Sequence, residues 1–86
     1  MAQDIRLPSI DGLRAFEASA RLGSFERAAD ELAIGASAVA KRIASVEGLE
    51  GTALFQRQIK PLQLTPSGRE YLEQVRGALQ LLTAMP

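Results

Sequence analysis

The chain is 86 residues long and carries ten basic and ten acidic side chains, a formal net charge of zero, with no cysteine and no histidine. That length bounds one domain, which by surface scaling buries only about 60 to 65% of its unfolded surface and is marginal without a partner. The missing cysteines exclude a disulfide framework and thiolate metal sites, and the missing histidines remove the commonest metal ligand and general base. The opening MAQDIRLPS has no apolar signal-peptide core, and no stretch approaches the roughly 20 apolar residues of a membrane span. A cytoplasmic chain without membrane association is expected.

A first helix opens at Pro8 or Ser9, places Ile10, Leu13, Phe16 and Ala20 at helical spacing, and stops near Gly23. Ser24 then serves as N-cap of a second helix through Leu32, with Glu26 favouring the dipole of its first turn. Phe25, Ala28, Ala29 and Leu32 follow the spacing of one buried stripe, and the two alanines permit a close helix crossing. Ala33-Ile34-Gly35 turns the chain. Gly35 is the residue expected to take the unusual backbone angles, with Ile34 plugging the corner. A third helix from Ala36 to about Glu47 buries Val39, Ile43 and Val46. Its opposite face carries Ser37, Lys41 and Ala44, flanked by Ala36, Ala40 and Arg42. Periodicity alone leaves two readings open here, a helical hairpin inside a core and a helix-turn-helix that reads DNA.

Beyond Gly48 and Gly51, the runs Ala53 to Arg57 and Leu62 to Leu64 read as a short hairpin turning near Lys60-Pro61, with Arg57 and Lys60 at its tip. This ribbon supplies Leu54, Phe55 and Leu64 to a core that three short helices leave thin. Thr65 as N-cap and Pro66 at the first helical position start a last helix. It runs to about Ala84 and is about 30 Å long. Its apolar positions, Tyr71, Leu72, Val75, Ala78, Leu79, Leu81, Leu82 and Met85, are wider than one stripe, so one face is expected on the domain and the other on a second chain. The fold class is therefore mainly α. Residues 1–64 form a winged helix-turn-helix, three helices plus a two-stranded β wing, and residues 65–86 a linker helix for dimerisation through Tyr71, Val75, Ala78, Leu79 and Leu82.

The zero net charge conceals an uneven division. Residues 1–34 hold four basic against six acidic side chains and residues 70–86 one against two, whereas 35–69 hold five against two. The basic excess coincides with the third helix and the wing, and phosphate binding responds to local charge. Enzymatic chemistry is not expected, and neither a cofactor nor a metal is called for. Asp30-Glu31 and Glu70/Glu73 lack a pocket, and Ser24, Ser37, Thr65 and Ser67 have no histidine to activate them.

The runs LPSIDGLRAFEASARLGSFERAADELAIGASAVAKRI, LFQR and LQLTPSG together resemble the N-terminal domain of LysR-type bacterial transcriptional regulators. The resemblance extends from Leu7 to the last helix, and the paired motifs SFxxAA and LFxR…LTxxG make it specific; they also argue against other winged-helix groups such as the molybdate-responsive regulators. It implies double-stranded DNA as partner and a homodimer through the linker helix. It also implies a small-molecule effector bound by a C-terminal domain that these residues do not include. On the matching positions, the DNA contacts implied are Ala36, Ser37, Ala40, Lys41 and Arg42 in the recognition helix and Arg57, Lys60 and Pro61 in the wing. Ser24 at the start of the second helix is the implied phosphate contact.

Departures from the family pattern fall on those same positions. Gly35-Ala36-Ser37 stands where Thr-Gln-Ser is common, Ala40 where serine is usual, Lys41 where arginine is usual and Arg42 where glutamine is usual. Glutamine pairs bidentately with adenine and arginine with guanine, so alanine and lysine remove directional base contacts and leave methyl groups, one hydroxyl and two cations. Glu50 replaces a leucine, with Leu49 one place earlier; together with Gly48 this implies that the third helix ends early or bends. The expectation is a dimer on an inverted-repeat promoter site whose affinity is largely electrostatic, with the wing and linker helix carrying more of the binding than usual. The competing expectation is a dimerisation or protein-interaction module with weak or no specific DNA binding.

Overall fold

A computed structural model describes residues 7–83. The elements are α1 (Ile10–Leu22), α2 (Phe25–Leu32), α3 (Ala36–Glu50), β1 (Phe55–Gln56), β2 (Gln63–Leu64) and α4 (Pro66–Thr83). Local chemistry sets most boundaries. Ser9 Oγ accepts the Gly12 N–H at 2.9 Å to start α1, and Gly23 ends it in the left-handed region at φ 69°, its N–H donating to the Ser19 carbonyl. Ser24 Oγ accepts the Arg27 N–H at 3.2 Å to start α2. Thr65 Oγ1 starts α4 by accepting the Gly68 N–H at 3.0 Å, and it donates to the Ala53 carbonyl at 2.8 Å. Such caps contribute about 1 kcal/mol each by pairing backbone donors that the helix leaves open.

Phe16 is the centre of the core. Its ring lies 5.4 Å from Phe55 and 5.4 Å from Tyr71, both tilted, and Phe25 meets Phe55 edge-on at 5.6 Å. Val39, Ile43 and Val46 of α3 close the core from one side, and Ala28 and Ala29 let α2 approach. Each of the three branched side chains contributes about 1.5 to 3 kcal/mol by leaving water. Leu54 and Phe55 come from the ribbon and are buried, while Leu64 is partly buried against them. Of the apolar positions in α1, Phe16 is fully buried, Leu13 and Ala20 are partly so, and Ile10 is exposed. On the surface Arg21 donates to Glu17 at 3.0 Å and to Glu31, linking α1 to α2. The guanidinium hydrogen bond holds the Glu31 carboxyl below its ordinary range, and the two carboxylates raise Arg21. Exposed pairs of this kind add little to stability.

The structure corrects four expectations. The strained residue of the turn is Ala33, left-handed at φ 60°, whereas Gly35 is extended at φ −77°. The reversal happens at the C-cap of α2, where the Ala33 N–H reaches back to the Ala29 and Asp30 carbonyls. α3 does not stop at Glu47: it continues as α-helix through Gly48 and Leu49 to Glu50, and Gly51 at φ 72° ends it. The strands are shorter than the apolar runs, with Phe55 opposite Leu64 and Gln56 opposite Gln63, because only these residues meet across the ribbon.

The fourth correction concerns dimerisation. Tyr71 and Val75 face inward, Tyr71 against Phe16 and Val75 only 2% exposed, so neither is available to a second chain. Burial of Tyr71 pushes its phenol above the ordinary range, and the neighbouring Glu50 carboxylate adds to the shift. Ala78 and Leu79 are half-buried, while Leu81 and Leu82 are 83% and 59% exposed. Met85 and the expected helix end at Ala84 lie outside the described residues.

Candidate nucleic-acid interface

α3 presents one edge outward because its opposite edge is fixed in the core by Val39, Ile43 and Val46. Residues three and four apart share a face, so Ser37, Lys41, Ala44 and Gly48 form the outermost row, and all four are exposed. Lys41 is the single cation in that row. Ala36 and Ala40 lie beside it half-buried, and Ala36 packs onto the core, so only part of its methyl surface faces out. Arg42 is half-buried on the side toward α1, where its carbonyl lies 3.8 Å from the position a Cβ on Gly12 would take. Gly35 provides no capping side chain for α3. The first-turn N–H groups of this helix therefore lack the side-chain acceptor that Ser9, Ser24 and Thr65 give the others.

The wing returns to the start of α2. The Leu62 N–H donates to the Gly23 carbonyl at 3.1 Å, which sets Lys60 and Pro61 beside Ser24. Between them is an open groove of about 380 Å³ lined by Ser24, Phe25, Glu26, Arg57, Lys60 and Pro61 among others. Lys60 and Pro61 are exposed and joined by a cis peptide bond. The structure thus brings the expected wing residues and Ser24 together on one side, next to the helix-turn-helix.

Arg57 is less free than expected. It directly follows β1 and turns back from the wing, donating to Glu47 Oε1 at 2.7 Å, with its guanidinium carbon 5.8 Å from the centroid of the Phe25 ring. The other Glu47 oxygen accepts the Leu54 N–H at 2.8 Å. One carboxylate near the end of α3 therefore orients both the entry into the wing and its nearest cation. Nothing local in the sequence marks Glu47 for this role, since its partners lie seven and ten residues away. Ser24 is similarly engaged: its oxygen accepts from Arg27 N while its O–H donates to Glu26 Oε1 at 3.2 Å. Among the described residues there is no group of acidic side chains placed to hold a metal ion, and no helix is long and apolar enough to cross a membrane.

Three helices around Phe16, a two-stranded ribbon and an outward row on the third helix define a winged helix-turn-helix domain. The chain belongs to the LysR family of bacterial regulatory helix-turn-helix proteins, whose sequence pattern matches residues 10–69. That family is one of DNA-binding transcription regulators. It is 41% identical over 78 residues to the glycine cleavage system transcriptional activator of Escherichia coli K12, covering 91% of this chain and 26% of that protein. With the carbapenem-hydrolyzing beta-lactamase transcriptional activator of Enterobacter cloacae it shares 42% identity over 79 residues, covering 92% and 26%. The chain thus spans about a quarter of the length of these relatives. Among solved structures it is similar to the BenM DBD in complex with benA site 1 DNA, with TM-score 0.85, 28% identity and coverage of 90% and 86%. Vibrio fischeri DarR in complex with DNA gives TM-score 0.87 at 28% identity, over 93% of this chain and 27% of that one.

Proposed function

We propose that this chain binds double-stranded DNA sequence-specifically as a homodimer, with two copies of α3 in successive major grooves of an inverted-repeat promoter site. The observation that carries the reading is that α3 holds an exposed row centred on Lys41, while Lys60 and Pro61 of the wing and Ser24 of the α2 N-cap line one groove. An α-helix fits the major groove, and dimeric helix-turn-helix proteins place half-sites about 34 Å apart or at multiples of this. In this arrangement Ser37 and Lys41 face base edges, Ala40 and the exposed part of Ala36 offer methyl groups to thymine, and Arg42, beside the row, meets the backbone. Lys60 and Pro61 meet the adjacent phosphates or minor groove. Arg57 contributes only where phosphate outcompetes Glu47.

The DNA-bound BenM and DarR structures support the reading by similarity. Dimerisation falls to the outer part of α4, where Leu81 and Leu82 are exposed and Leu82 joins Ile10, Leu32 and Leu79 in lining a groove of about 200 Å³ whose remaining lining is Arg14, Glu17 and Glu31. A small-molecule effector would be read by a domain outside these 86 residues, and the regulator would act in the cytoplasm. Salt titration of binding tests the electrostatic part. Log K should fall with log salt by about 0.9 per neutralised phosphate, with about four to six phosphates per protomer and the lower value favoured by the Arg57–Glu47 pair. A flat titration rejects the reading.

A second reading, a dimerisation or interaction module with weak specific binding, is favoured by one feature. The exposed row offers a single cation and otherwise small side chains. Selection from random DNA separates the two, because the module enriches no reproducible site.

A further inference from the structure

We infer that Glu26 is an affinity-limiting residue of the DNA-binding surface, a carboxylate built into the place where the phosphate backbone is received. The inference rests on the DNA-binding reading above and concerns a residue to which that reading gives no role. Glu26 sits in the first turn of α2 and lines the same groove as Ser24, Arg57 and Lys60. Its Oε1 accepts a hydrogen bond from the Ser24 hydroxyl at 3.2 Å, so the serine's donor points to a carboxylate and not outward. The serine oxygen is also occupied, by the Arg27 N–H at 3.2 Å. A phosphate arriving at Ser24 therefore meets a hydroxyl with both functions engaged and a negative charge beside it.

The neighbouring cation is restrained in parallel, since Arg57 is held by Glu47 at 2.7 Å. Lys60 is the one cation lining this groove that forms no ion pair among the described residues. Two carboxylates thus oppose the basic character of the wing side, and they do so differently. Glu47 is mostly buried and fixes structure through the Leu54 N–H, whereas Glu26 is exposed and forms no hydrogen bond to another element of the fold among the described residues. Glu26 favours the α2 dipole, which explains why the helix tolerates it, but a bound phosphate would use that same field. Glu26 thus lowers binding to all DNA alike and leaves discrimination between sites to α3.

The test compares the full chain with Glu26→Gln and with Asp30→Asn, binding a labelled random-sequence duplex. Asp30 is an exposed carboxylate on the same helix that does not line the groove, so it removes equal charge elsewhere. Glu26→Gln should tighten binding about threefold to tenfold at about 50 mM salt, with the gain shrinking toward about 200 mM, while Asp30→Asn changes it less than about twofold. Equal or weaker binding by Glu26→Gln overturns the inference, as does equal tightening by both variants, which would mean that only net charge matters. Salt-sensitive binding by the parent chain with an unresponsive Glu26→Gln overturns the inference and leaves the DNA-binding reading standing. No salt-sensitive binding by any of the three proteins removes both.

Discussion

Gly68 is the glycine at which the fold leaves least room, and Gly68→Ala should destabilise the chain by about 2 kcal/mol. A Cβ there would lie 2.1 Å from the Leu54 carbonyl oxygen, and 3.0 Å from both the Leu54 carbonyl carbon and Leu64 Cδ2. The nearest atom is backbone, so relief requires α4 and the strand entry to separate by about an ångström, a gap that already forfeits much of each contact. Two hydrogen bonds cross that junction, Thr65 N–H to the Leu54 carbonyl at 3.0 Å and Thr65 Oγ1 to the Ala53 carbonyl at 2.8 Å, while Gly68 N–H to Thr65 Oγ1 caps α4 itself. At about 1 kcal/mol net each, loss of the two crossing bonds costs about 2 kcal/mol, and loosening of buried Leu54 adds about 1 kcal/mol. An 86-residue domain has only about 4 to 13 kcal/mol to lose. Alanine's helix propensity acts in the opposite direction by about 1 kcal/mol. Urea denaturation followed by far-ultraviolet circular dichroism measures the outcome. Gly77→Ala is the control: it lies in the same helix, exposed, with nothing within 4 Å of a new Cβ, and should stabilise by about 0.5 to 1 kcal/mol. If Gly68→Ala is as stable as the parent chain, the close approach of α4 to Leu54 is wrong.

Further outcomes follow from the same structure. Ala33→Gly should raise stability by up to about 1 kcal/mol in the same assay, because the left-handed backbone at φ 60° costs alanine about 1 to 2 kcal/mol while glycine gives back about half of that as unfolded-state entropy. Tyr71 has a folded pKa raised above its ordinary value of 10.0, so its contribution is complete below pH 10 and is lost as pH rises through the folded value. Tyr71→Phe should flatten that alkaline decline in denaturation midpoints measured between pH 9 and 12, although it loses the hydroxyl's contacts at neutral pH. Lys60→Ala should weaken binding to all duplexes alike and lower the salt slope by about one. Leu82→Asp should shift the chain toward monomer in sedimentation while leaving its helical content unchanged, since Leu82 is 59% exposed.

What could be read from the sequence was what depends on neighbours a few positions apart. Ser24 before an i, i+3, i+4 stripe, and Thr65-Pro66 before another, fixed the starts of α2 and α4 because a cap bonds within its own turn. Burial of Val39, Ile43 and Val46 followed from period alone. The left-handed residue was misplaced because glycine is the usual bearer of positive φ, yet in this turn the geometry falls at the α2 C-cap, which Ala33 occupies. Gly48 and Glu50 suggest an early end to α3, but one exposed glycine does not break a helix whose left-handed Gly51 cap lies further on. Period does not say what covers an apolar face, so it leaves Tyr71 and Val75 open to a partner, whereas the fold sets them against Phe16 and its neighbours. In the candidate interface the row of Ser37 and Lys41 was legible, whereas the neutralisation of Arg57 by Glu47 was not, since it depends on a contact between α3 and the wing.

Selection of DNA from a random pool, repeated with Lys41→Ala and Lys60→Ala, tests most directly whether this domain reads sequence. Reproducible enrichment of an inverted-repeat site is expected from the parent chain, with specificity relaxed by Lys41→Ala and merely weakened affinity with Lys60→Ala. Salt-sensitive retention of the pool without any enriched site, or identical effects of the two substitutions, would contradict it.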